Sequence, residues 1–127
     1  MVGYLANIEE KTLENTYFRK VLYTGQHIQL VIMSLRPEEE IGLEIHEITD
    51  QFLRIESDEG KVIMNGEEHI IKDGAAFIVP AETRHNVINT SSTDPLKLYT
   101  LYAPPHHKAG TVHKTKEEAD KDEKDHF

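Results

Sequence analysis

A chain of 127 residues, 38% hydrophobic and 29% charged, is one domain's worth: too short for two independent cores and too apolar for a wholly disordered or collagen-like polymer. Fourteen basic against 23 acidic residues give a formal net charge of -9, which repels phosphate backbones and anionic lipid heads, so neither nucleic acid nor a membrane is expected as a partner. The absence of cysteine excludes disulfides, thiolate nucleophiles and sulfur-ligated metal sites, and leaves nitrogen and oxygen as the only ligands for a metal. The first residues, MVGYLANIEEKTLENTYF, hold no basic stretch followed by an apolar one, and no apolar run approaches the ~20 residues that span a bilayer. A cytoplasmic address is the expectation that follows.

In chain order, IEEKTLEN over residues 8–15 reads as a short helix or turn, which Asn15 and Thr16 end. Eight short apolar runs follow, each closed by a turn signal, at 27–35, 41–46, 51–56, 61–64, 67–72, 75–79, 85–89 and 96–103. Such runs without long helices between them predict an all-β domain, either a sandwich, a jelly roll or a small barrel. Asn65-Gly66 predicts a two-residue hairpin, and Asp73-Gly74 a second tight corner, with antiparallel pairing at both. After Pro104-Pro105 the chain loses its apolar residues and alternates charge signs. The organisation expected is an N-terminal segment over 1–16, one β-domain over 17–105 and a polar, flexible tail over 106–127, of which 114–127 is expected to be removable without loss of folding.

Strand parity puts Glu44 and His46 on one face, and His85, Val87 and Asn89 on one face. A carboxylate and imidazoles on core-facing rows are costly alone, and a shared cation relieves that cost.

The stretch GAAFIVPAETRHNVIN resembles the second motif of the cupin family, with Gly74, Pro80, His85 and Asn89 at the motif's spacing and Glu82 where the family has a second glycine. The first cupin motif is eroded: Glu38 and Asp58 stand at its glycines, Glu44 at its first histidine and Gln51 at its glutamate, while His46 is retained. The resemblance covers roughly residues 30–103 and implies a double-stranded β-helix, the cupin jelly-roll barrel, with a metal inside it, often in a dimer. It places the family's four ligand positions on Glu44, His46, Gln51 and His85, or on Asp50 in place of Gln51 if the loop is one residue shorter. Two imidazoles and one carboxylate suit one divalent transition metal, Fe, Zn, Ni or Mn. The alternative is a degenerate cupin in which Gln51 hydrogen-bonds His46 or Glu44 and no metal binds.

Other polar residues are expected outside the site. His106, His107 and His113 lie beyond Pro104-Pro105, with the alternative that one reaches the barrel mouth as a proton carrier. His27 and His69 are expected at the surface, Arg54 at the surface or in a dimer contact, and either Tyr99 or Tyr102 inside the cavity, because their odd spacing gives them opposite faces. Two functions compete: a small metal-dependent enzyme, dioxygenase-like or using Lewis-acid chemistry on a small organic molecule, and a non-catalytic binding or storage cupin. A homodimer is expected because HIQLVIMSL and LKLYTLYA are apolar at both parities and need cover on both faces. The alternative cover is the N-terminal segment, through Tyr4, Leu5, Ile8 and Leu13.

Overall fold

The structure, a computed structural model, describes residues 2–122. Helix α1 (Ile8–Glu14) starts where the Asn7 side chain accepts the Glu10 amide at 3.0 Å, with Glu9 and Glu10 favoured in its first turn by the helix dipole. The strands are β1 (Arg19–Thr24), β2 (Gln29–Leu35), β3 (Asp50–Ser57), β4 (Glu59–Met64), β5 (Glu67–Lys72), β6 (Ala76–Val79), β7 (His85–Asn89), β8 (Leu96–Ala103) and β9 (Val112–His113), followed by helix α2 (Lys116–Lys121). They form a six-stranded sheet, β6-β3-β8-β2-β1-β9, and a three-stranded sheet, β5-β4-β7, with antiparallel pairing throughout. This is the all-β jelly roll expected, with a short N-terminal helix.

Alternation along the strands divides the barrel interior into two ends. In β3, Gln51, Leu53 and Ile55 point inward, and in β8 so do Leu96, Leu98, Thr100 and Tyr102. The antiparallel register sets Ile55 opposite Leu98 and Gln51 opposite Tyr102, so one end is apolar and the other polar. Val31, Met33, Leu35, Val62, Ile71 and Val87 complete the apolar end, each contributing about 1.5–3 kcal/mol by its burial. Asn89 closes that end: its Nδ2 donates to the carbonyls of Leu35, Arg36 and Asp94, and its Oδ1 accepts from the Ser91 amide.

Several expectations are corrected. No regular strand forms over 41–46; the segment meets β7 through the Glu40–Ile88 and Glu44–His85 bridges and the Asn86 side chain, which accepts the Gly42 amide and donates to Glu40, because Gly42 takes φ 113° and breaks the ladder. Its Leu43 and Ile45 face solvent while His46 turns inward. Strand β1 escapes the apolar pattern because a charged residue, Arg19, occupies its inward row beside Val21. Asn65-Gly66 does form the two-residue turn, with both residues at positive φ and Met64 opposite Glu67. Asp73-Gly74, by contrast, passes the chain from one sheet to the other, so β5 and β6 do not pair with each other.

The expectation of a flexible tail is also corrected as far as residue 122. Val112 and His113 pair with Lys20 and Arg19, the Val21 amide donates to the Thr111 carbonyl and the Phe18 amide to that of Lys114, and His107, His113 and Ala119 are buried. Main-chain pairing and buried polar contacts hold the segment, which is why its lack of apolar residues misleads; removal of 114–127 therefore strips a packed helix. Residues 123–127 lie outside the described residues. On the other side of the larger sheet, α1 packs against β8, β3 and β2, so the N-terminal segment supplies part of the cover expected from a second copy.

Glu38, Asp58 and Glu82, the three residues at the motif's glycine positions, have φ of 65°, 79° and 68°. The backbone thus keeps a glycine-type conformation that an L side chain occupies only at a cost of about 1–2 kcal/mol. Asp58 also buries Oδ2 without a hydrogen-bond partner. Asp58→Gly is expected to raise the unfolding free energy by about 1 kcal/mol in urea melts; an unchanged or lower value contradicts this reading of the turn.

Candidate metal centre

The polar end of the barrel gathers acceptors rather than donors. His46 is 5% exposed, and neither of its ring nitrogens has a hydrogen-bond partner. Its segment is held open by main chain: the Glu44 and His85 amides and carbonyls exchange bonds of 2.8 Å, and the His46 carbonyl accepts the Glu82 amide at 2.7 Å. Burial, helped by the charges that His106, His85 and Arg19 bring and opposed by the nearby Gln51 side chain, pushes the His46 pKa down to about 3. The imidazole is therefore neutral at physiological pH, the state in which it offers a lone pair.

His85 begins β7, 4% exposed, with its ring centroid 5.0 Å from that of His46. Its Nδ1 lies 2.9 Å from the Thr83 carbonyl. A carbonyl only accepts, so Nδ1 carries the proton and Nε2 presents its lone pair. Gln51, 3% exposed, is oriented by a similar chain: its Nε2 donates to Thr100 Oγ1 at 3.0 Å, whose hydroxyl donates onward to the Phe52 carbonyl at 2.8 Å. That orientation leaves Gln51 Oε1 buried without a donor. Asp50 is instead exposed and accepts the Ala81 amide at 2.8 Å, so of the two alternatives for that position Gln51 is the residue that faces inward.

Glu44, half-buried, stands with His46 and His106 so that one ligand-type atom of each lies within 4.8 Å of the others. This trio holds Glu44 and His46 but not His85, which stands beside it through its ring contact with His46, and it adds His106, whose ring centroid is 4.1 Å from that of His46. Sequence reasoning left His106 outside the site, and the residue that brings it there is Gln29. Fully buried at the start of β2, Gln29 accepts the amides of His106 and His107 on Oε1 and donates through Nε2 to the His107 carbonyl and Thr24 Oγ1. A glutamine opening an otherwise apolar strand was the available signal. Tyr102 is the inward tyrosine of β8; it stacks on His106 at 5.5 Å, and its hydroxyl lies 3.2 Å from His107 Nε2. His27 and His69 are exposed as expected, and Arg54 pairs with Glu56 at 3.2 Å.

A donor set of neutral imidazoles, an amide oxygen and a carboxylate, with buried acceptors lacking donors, fits a divalent transition metal. Two adjoining cavities of about 340 and 440 Å³ share Ile45, His46, His106 and His107 in their walls, so small organic molecules have room beside the cluster.

Residues 31–102 match the cupin domain family, and the chain belongs to that family. It is 51% identical over 122 residues to the uncharacterized protein YrkC of Bacillus subtilis, a match covering 91% of this chain and 65% of YrkC, less than two thirds of that relative's length. It is 43% identical over 113 residues to the uncharacterized protein L612 of Acanthamoeba polyphaga mimivirus, covering 86% of this chain and 70% of L612. The crystal structure of BH2720 from Bacillus halodurans is similar to it with a TM-score of 0.90 and 46% identity, over 92% of each chain. Among the described residues no helix is long and apolar enough to cross a membrane.

The unfolded chain takes up a proton at a histidine near pH 6.5, whereas folded His46 resists it down to about 3. Its contribution to stability is therefore fully present above pH 6.5 and is lost as pH falls toward 3. Denaturant melts of chelator-treated protein between pH 7 and 4 are expected to show the parent losing more stability than His46→Asn; a constant gap between the two contradicts a neutral, buried His46.

Proposed function

We propose that this protein is a small metal-dependent cupin enzyme that acts on a small organic molecule at the polar end of its barrel. Glu44, His46, Gln51 and His85 hold one divalent transition metal, Fe, Zn, Ni or Mn, and His106 closes the site from the C-terminal side. The observation that carries this reading is a buried His46 with neither nitrogen in a well-formed hydrogen bond, beside Gln51 Oε1 in the same condition and 5.0 Å ring to ring from a His85 whose Nδ1 is bound to Thr83. Buried acceptors without donors cost about 1–3 kcal/mol each, and a cation would offset that cost at all of them together.

A bound ion would supply Lewis-acid polarisation of a carbonyl, or dioxygenase-like redox chemistry, at this position. The chain's own residues orient and shield. Thr83 sets the His85 tautomer, Thr100 sets the Gln51 amide, and Gln29 holds the His106–His107 backbone against the mouth. Tyr102 and the two histidines wall the site from bulk water, which strengthens every electrostatic contact inside it.

Elemental analysis of protein purified without chelators tests the centre. His85→Ala is expected to carry less than about a tenth of the parent's metal, since losing one ligand costs an order of magnitude or more in affinity; equal metal in the two overturns the assignment. Oxygen uptake against phenols, diketones and sugar derivatives then separates an enzyme from a storage cupin, turnover supporting the first and tight binding without turnover the second.

The same proposal includes a homodimer. The support is apolar surface left beside α1: Leu5 is 83% exposed, and Tyr4, Leu13, Tyr23 and Ile28 are also open to solvent. Sedimentation at micromolar concentration is expected to show twice the chain mass; a single species at 14.6 kDa removes the dimer and leaves α1 as the only cover.

A further inference from the structure

Arg19 has no part in the metal centre, yet it is 7% exposed and stands in the wall of the 340 Å³ cavity that His46 and His106 also line. Among the described residues it is the only buried arginine or lysine. No ion pair joins it to a carboxylate there. Leaving a guanidinium buried and unpaired costs several kcal/mol, and it cannot shed its proton to escape that cost.

Its nitrogens are unequally used. Nη1 donates to His113 Nδ1 at 3.3 Å, and His113 Nε2 in turn donates to Asp122 Oδ2 at 2.8 Å. The Phe18 ring lies under the guanidinium carbon at 5.1 Å. Nε is buried with no partner. Nε is enclosed by protein atoms, so Nη2, which forms no hydrogen bond or ion pair among the described residues, is the nitrogen left to meet a carboxylate oxygen. The other charged groups of the cavity are already engaged: Lys116 pairs with Asp120 at 3.1 Å, and Glu44 belongs to the cluster with His46 and His106. The remaining wall is apolar, with Ile41, Leu43 and Ile45 leading out to the mouth, where Leu43 and Ile45 are 61% and 53% exposed.

We infer that Arg19 is a substrate-binding residue and that the cavity takes a small monocarboxylate with an apolar body. The carboxylate sits on Nη2 of the guanidinium, and the body lies along Ile41, Leu43 and Ile45, which brings its far end against the histidines. This deepens the proposed function by naming the substrate class. Only the placement of the far end rests on the metal reading; recognition of the carboxylate does not.

Benzoate and benzamide, which share a shape and differ in charge, are the probes. Titration calorimetry with the parent protein is expected to show benzoate binding at least tenfold more tightly than benzamide. Arg19→Gln should abolish that preference with metal content unchanged, and Arg19→Lys, which keeps the charge but not the guanidinium, should retain part of it. His85→Ala should lose metal and keep the benzoate preference, so failure of the metal centre and failure of the anion site give different results. Equal binding of the two probes by the parent, no binding of either at tens of millimolar, or a folded Arg19→Gln that still prefers benzoate overturns the inference. If Arg19→Gln does not fold, the parent's ratio and the Arg19→Lys ratio decide.

Discussion

The polar end of this barrel is organised by one constraint: a neutral imidazole, His46, is buried with neither ring nitrogen in a well-formed hydrogen bond, the Gln51 side chain alone standing close enough to favour a proton on the ring. An unsatisfied buried polar group is expensive in a small domain whose total stability is about 5–15 kcal/mol. Beyond the Gln51 side chain, the surroundings do little to lessen that cost by hydrogen bonding. They supply further acceptors instead, the Oε1 of Gln51 and the Nε2 of His85, and each is held in its acceptor orientation by a dedicated threonine, Thr100 for the glutamine and Thr83 for the histidine. Interiors satisfied by their own hydrogen bonds pair donors with acceptors; here the lone pairs of His46, His85 and Gln51 Oε1 lack well-formed donors, an arrangement complementary to a cation.

The rest of the fold serves that arrangement in identifiable ways. The β3–β8 register keeps the apolar core at one end and Gln51, Thr100 and Tyr102 at the other. The break at Gly42 lets Glu44 and His46 turn inward while Leu43 and Ile45 stay at the rim. Gln29, with all four of its polar contacts made, ties the segment after β8 across the mouth and brings His106 to within ring contact of His46. The C-terminal segment is therefore part of the site's wall, held by main-chain pairing with β1 rather than by apolar burial.

Much of this was legible in the residues. Period-two alternation and turn dipeptides located seven of the strands, and the spacing of Gly74, Pro80, His85 and Asn89 pointed to the barrel and to His85. The eroded first motif could be aligned on its spacing, and its substitutions preserve backbone conformation, with Glu38 and Asp58, like Glu82 of the second motif, holding φ values that suit glycine. What stayed hidden shares a physical cause. Strand β1, the docked C-terminal segment, His106 and the buried Arg19 all depend on polar contacts between residues far apart in the chain, and a hydrophobic pattern carries no record of such contacts. The run at 41–46 misled for the opposite reason: its alternation is that of a strand, but one glycine at positive φ reduces it to two bridges.

The central claim is that imidazoles from both His46 and His85 meet at one metal ion. X-ray absorption at the metal edge of protein purified without chelators reads this directly, because imidazole rings give an outer-shell scattering pattern that carboxylate and water lack. The account predicts scattering from more than one imidazole in the parent and one fewer in any metal retained by His85→Ala. A first shell of oxygen alone, or a spectrum identical in the parent and in His85→Ala, would contradict it.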